Sequence, residues 1–149
     1  MSQLAPAARR QSEVLRRVLA AEHAVVYGYG VAGAWLHGPA GDRADRAWTA
    51  HRARRDDLVA RVAGLGGSPV PPEASYALPF PVDTAADART LATLLEERLA
   101  ATWADAVAGL TGDLRAYAVD GLADAAVAAA RWRGGSVPFP GLPERAGQR

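Results

Sequence analysis

The chain contains no cysteine. That single absence removes disulfides, thiolate metal ligands, cysteine nucleophiles and iron–sulfur ligation, and it leaves redox compartment without a signature. Aromatic residues make up only 7% of the sequence, and β-branched residues are thinly spread while alanine is abundant. Such a composition has little with which to build a sheet and suits close-packed helices. Charge of one sign is also lacking: 17 basic against 16 acidic residues give a net charge of +1. Neither nucleic acid nor an anionic membrane is therefore an expected partner. No long apolar run is uninterrupted, since the best one, Val18 to Leu36, carries Glu22 and His23, so no membrane span is expected. The opening MSQLAPAARRQSE has no apolar core followed by a small-residue cleavage site. A secretory leader is not expected, and the chain reads as cytoplasmic.

What remains is a chain of 149 residues, half of them hydrophobic, which fits one domain over residues 1–149. Residues 1–10 read as a frayed leader. Helix one is expected over about 12–37, with Ser12 as its cap and Leu15, Val18, Leu19, Val26 and Tyr29 in one stripe. Gly38, Pro39 and Gly41 read as breakers, and Asp42 as the cap of helix two over about 42–65. Its stripe is Ala44, Ala47, His51, Leu58, Val62 and Leu65. Residues 66–83 hold five prolines and cannot be helical. A connection of that length normally has a topological purpose, and a crossover along a helix bundle is the expected one. Helix three follows over about 84–110, with Leu91, Leu94, Leu95, Leu99, Thr102 and Ala106 as its face. After a break at Thr111-Gly112 comes helix four, about 113–133, with Leu114, Ala118, Gly121, Leu122, Ala125, Ala129 and Trp132 inward. The Gly/Pro-rich tail, 134–149, has Phe139 and Leu142 as anchors. The fold class expected is all-α.

Glu22 takes the centre of helix one's apolar stripe. An isolated carboxylate is costly to bury, so it must find a cation, a metal, a donor or a proton. Helix two offers His51 in the middle of its own stripe. Helix three offers Glu96, roughly 80° from the centre of its leucine face on a 100° wheel. Helix four offers nothing comparable: Asp120 and Asp124 lie roughly 140° and 100° from its apolar centre. A di-iron or di-manganese carboxylate site needs a Glu from each of two helices and an E-x-x-H pair from each of the others. Neither pair exists here. Arg54 and Arg55 instead flank the seam beside His51, and a guanidinium can satisfy a carboxylate where a metal would otherwise sit. The reading is a buried cluster of Glu22, His51 and Arg55, with Glu96 joining, and no cofactor. A metal site of Glu22, His51 and Glu96 holding iron, manganese or zinc is the alternative, and a catalytic or small-ligand pocket a third.

Other features take plainer readings. His23 lies about 100° round the helix from Glu22 and points to a lateral contact. His37 sits at a helix end, near exposed carbonyls. Y-G-Y-G at Tyr27 to Gly30 lacks the preceding strand of a nucleotide loop, and its glycines, with Gly33, permit close helix approach. Trp35, Trp48, Trp103 and Trp132 read as core or interface anchors, and Arg52–Asp57 as a solvated face.

L-A-A-E-H-A-V-V-Y-G-Y-G in helix one, A-H-R-A-R-R-D-D-L in helix two, Y-A-L-P-F-P in the connection and A-A-R-W-R-G near the end resemble an uncharacterised ferritin-like domain family of high-GC Gram-positive bacteria. The resemblance runs from about Gln11 to Leu142. It implies a ferritin-like four-helix bundle with its long crossover between helices two and three. Ferritin-like proteins at large bind two metals and oxidise iron, store it or activate oxygen; of that motif, Glu22 and Glu96 carry over. The functional expectation is a binding or assembly module, homodimeric through an Ala/Trp-rich face, whose former metal centre is a polar cluster. A metal-dependent oxidase or ferroxidase-like enzyme is the alternative.

Overall fold

A computed structural model describes residues 5–135 and 139–142. These residues form four helices and no strand: α1 (Pro6–Gly33), α2 (Gly38–Gly64), α3 (Ala85–Gly109) and α4 (Gly112–Arg133). None of the helices is long and apolar enough to cross a membrane. Residues 1–4, 136–138 and 143–149, and with them parts of the expected leader and tail, lie outside the described residues.

α1 begins earlier than the cap chemistry suggests. Pro6 occupies its first turn, where a missing N–H is harmless and a fixed φ is already helical. Ser12 is therefore not a cap but a buried second-turn residue, fitted against Gly67. The same logic corrects α2, whose first turn contains Pro39; a proline read as a breaker in fact starts the helix. α3 has a true side-chain cap, the Thr84 hydroxyl accepting from the Asp87 N–H at 3.0 Å. Gly134 ends α4 in the left-handed region at φ 83°, its N–H returning to the Ala130 carbonyl.

α1 packs on α2 and on α3, and α3 packs on α4. Gly28 lies on Leu95 while Gly109 lies on Val14, so α1 and α3 run antiparallel. Ser12 meets Gly67 and Glu22 meets His51, which makes α1 and α2 antiparallel as well. The core consists of Leu15, Val18 and Leu19 on α1, Leu58 and Val62 on α2, and Leu91, Leu99 and Trp103 on α3, all nearly inaccessible. Helix formation by themselves would not hold these segments in water; burial of such side chains stabilises by roughly 1.5–3 kcal/mol each.

The inner face of α3 differs from the leucine face read in the sequence. Its buried row is Ala88, Leu91, Ala92, Glu96, Leu99, Ala100, Trp103 and Ala106, whereas Leu94 and Leu95 are half-buried. Glu96 therefore occupies the middle of the buried row, not its margin. On α1 the row likewise takes Val25 in preference to Val26. Residues 66–83 contain neither helix nor strand. They follow α1 in order: Gly67 at Ser12, the Val70 carbonyl 2.9 Å from His23 Nε2, and the Tyr76 ring 5.5 Å from that of Tyr27. After α4, Gly141 presses against the Ala100 carbonyl, and Phe139 is 44% exposed, a partial anchor only.

Candidate functional site

The four helices bring five polar groups into one cluster, two of them from α1. On α1, Glu22 and Tyr29 are seven residues apart, two turns, and so share a face with Leu15, Val18 and Val25. On α3, Glu96 stands four residues from Ala92 and seven from Trp103 in the buried row. α2 contributes His51, in register with Ala44 and Leu58. α4 contributes Trp132, in the row of Ala118, Gly121, Ala125 and Ala129.

These groups form one hydrogen-bonded chain. His51 Nδ1 lies 2.8 Å from Glu22 Oε2, and its Nε2 lies 3.0 Å from Glu96 Oε1. The Tyr29 hydroxyl donates to the same Glu96 Oε1 at 2.5 Å, and the Trp132 indole N–H donates to the Tyr29 oxygen at 2.8 Å. The Tyr29 and His51 rings stack with centroids 5.4 Å apart. Glu22 and Glu96 are 1% and 0% exposed. The other Glu96 oxygen, Oε2, has no hydrogen-bond partner among the described residues and is closed off from solvent.

Burial alone would push the His51 imidazole down, because it penalises the cation. Hydrogen bonds and charge from Glu22 and then Glu96 outweigh it and hold the ring up at about 10. His51 is accordingly an imidazolium at neutral pH, donating from both nitrogens. Burial, reinforced by the neighbouring Glu96 carboxylate, pushes the Tyr29 phenol far above its usual value. Tyr29 stays a donor.

Glu22, His51 and Glu96 are thus brought together, and Arg55 is not. Its Nε donates to Asp56 at 2.8 Å on the outer side of α2. His51 itself supplies the cation that the sequence reading assigned to Arg55. Two members were missed: Tyr29, read as one more apolar stripe residue, and Trp132, read as an anchor. The signal for both was chemical, since a buried phenol or indole needs a hydrogen-bond partner. His23, beside Glu22, is turned to the Val70 carbonyl as a lateral contact.

Glu22, His51 and Glu96 form the floor of a cavity of about 510 Å³ between α2 and α4. Its α2 wall is Arg43, Arg46, Ala47, Ala50 and Arg54, and its α4 wall includes Asp124, Ala128 and Arg131. Small side chains leave the space, and two arginines bridge it. At one end Arg43 donates to the Arg131 carbonyl at 3.2 Å and lies 5.1 Å from the Trp132 ring centre. At the other Arg54 pairs with Asp124 at 2.5 Å. Gly121 also lines the cavity. A Cβ there would fall 2.4 Å from the Trp103 ring, so glycine is what lets the indole lie against α4.

A dinuclear carboxylate centre does not fit these donors. Both His51 nitrogens already face carboxylates, and the nearest carboxylate of α4, Asp124, is 71% exposed and paired with Arg54. Among the described residues, no group of three or more His, Asp or Glu side chains is arranged to hold a metal ion.

Residues 14–144 match the family described as Domain of unknown function (DUF4439). Among solved structures, the chain is similar to the crystal structure of a conserved hypothetical protein, rv2844, from Mycobacterium tuberculosis. The two are 35% identical with a TM-score of 0.81, over 85% of this chain and 96% of the other. No curated protein matches the chain.

Proposed function

The chain belongs to the DUF4439 family, and from that premise we propose a ferritin-like four-helix bundle that works as a binding module, its centre a hydrogen-bonded Glu22–His51–Glu96 cluster in place of two metals. Antiparallel pairing of α1 with both α2 and α3 leaves α2 and α3 parallel. Residues 66–83 must then travel the length of the helices, as a ferritin-like crossover does. The order of their contacts along α1 supports that reading.

One observation carries the functional part: the imidazole of His51 lies between two buried carboxylates with both nitrogens engaged. An imidazolium there neutralises one carboxylate's charge and fixes the position of both, which is the electrostatic task a metal pair performs in a carboxylate centre. What remains for chemistry is the cavity above it, large enough for a small ligand. Assembly through an Ala/Trp-rich face is the other half of the proposal. Trp35 and Trp48 are 41% and 37% exposed, as an interface anchor would be in a separated protomer.

Elemental analysis of protein purified without chelator tests the central claim. We expect no stoichiometric iron, manganese or zinc, and two coupled N–H signals from the His51 ring in nitrogen-15 NMR at neutral pH. Near-stoichiometric metal that disappears in Glu22→Ala would overturn the reading in favour of a metal-dependent oxidase. Sedimentation of the intact chain tests the homodimer.

A further inference from the structure

The cavity between α2 and α4 has two layers of opposite charge. Its floor holds two carboxylates and the His51 imidazolium, with Glu96 Oε2 buried and without a donor among the described residues. An unsatisfied buried carboxylate oxygen is costly, and the missing partner is an N–H or O–H group. Its walls and rim carry Arg43, Arg46, Arg54 and Arg131. Arg43 and Arg54 have partners across the cavity, whereas the side chains of Arg46 and Arg131 form no ion pair among the described residues. Guanidinium groups present planar paired donors that suit carboxylate and phosphate. The rest of the lining is alanine, Leu99, Gly121 and the rings of Trp103 and Trp132, with one rim carboxylate, Asp124, held by Arg54.

The floor offers carboxylate oxygens and the rim offers guanidinium groups. We propose that this cavity binds a small dipolar molecule, with a primary amine directed to Glu96 and Glu22 and a carboxylate or phosphate held by Arg46 and Arg131. The proposal rests on the reading of the site as a binding module and names its ligand class. A volume of about 510 Å³ accommodates a metabolite-sized compound and excludes a peptide of any length. The short aliphatic span between the two charged ends lies along Ala47, Ala50 and Ala128.

Titration calorimetry on the full chain tests it with ω-aminoalkanoates and aminoalkyl phosphates of graded length. Alkylamines, alkanoates and alkyl phosphates of matching length are the controls. We expect at least one two-ended probe to bind about tenfold or more tightly than either one-ended control. Arg131→Ala and Arg46→Ala, both at exposed positions, should remove most of that advantage, as should Glu96→Gln. Arg52→Ala, whose guanidinium sits on Trp48 away from the cavity, should leave it intact. If no two-ended probe outbinds its controls, or if Arg52→Ala weakens binding as much as Arg131→Ala, the ligand class is wrong. Should Glu96→Gln fail to fold, the two arginine variants carry the decision. Failure in metal-free protein overturns this inference alone, whereas stoichiometric metal removes the binding-module reading beneath it.

Discussion

The two sides of the molecule are built differently. Between α1 and α3, backbones approach closely: Gly28 receives Leu95, Gly109 receives Val14, and Leu91 and Leu99 are buried beside them. Between α2 and α4 the helices stand apart. Alanines line the gap, two arginines bridge it, and a cavity opens onto a charged floor. A cavity of about 200 Å³ lies on the first side, lined almost wholly by apolar side chains, whereas the 510 Å³ space on the other lies over ionisable groups. The contrast separates the residues that hold the fold from those available for recognition. His51 belongs to both, since it neutralises the core and also forms part of the cavity wall.

Substitutions can break or sharpen that division. The largest effect is expected for His51→Ala, which leaves two buried carboxylates facing each other without their cation. Stranding a buried charge costs roughly 3–5 kcal/mol, and urea melts at neutral pH should show a loss of that size. On the packed side, Leu91→Ala should cost about 2–5 kcal/mol through lost burial and an unfilled space, with ligand binding otherwise preserved. Alkali should weaken the fold through His51. Its folded-state value is raised from 6.5 to about 10, so the stabilisation is complete below pH 6.5 and disappears as pH climbs through about 10. Melts across that window should show a fall on the order of a few kcal/mol, and His51→Gln should flatten the curve. The smallest effect is expected for Arg55→Ala, within about 0.5 kcal/mol, because a half-exposed pair with the adjacent Asp56 contributes little. A loss of several kcal/mol there would restore Arg55 to the cluster.

Much of this was legible in the chain before any coordinates. Glu22 and His51 were recognisable because each interrupts an apolar row at the place where a leucine would fit. The position of Glu96 was harder to see. The leucine face counts Leu94 and Leu95 as inward, but α3 turns Ala88, Ala92, Ala100 and Trp103 inward beside Leu91 and Leu99. Small residues carry little weight in a hydrophobicity count, yet they are what allows a neighbouring helix to approach. The starts of α1 and α2 were hidden for a related reason: proline ends a helix or begins one according to position alone. Pairing of Arg55 was not legible either. A flexible guanidinium between an inner carboxylate and a solvated one has no sequence signal for its choice. The cavity arises from an interaxial spacing, which no local pattern records.

The stretch from Gly66 to Asp83 lies along α1 without a β-partner of its own. An irregular strip on a protein's flank ordinarily exposes amide groups that another molecule's strand can zip onto, the first step toward fibrils. Pro69, Pro71, Pro72, Pro79 and Pro81 have no such hydrogen to offer. The same residues that forbid a helix there therefore also make the flank a poor template for runaway self-association.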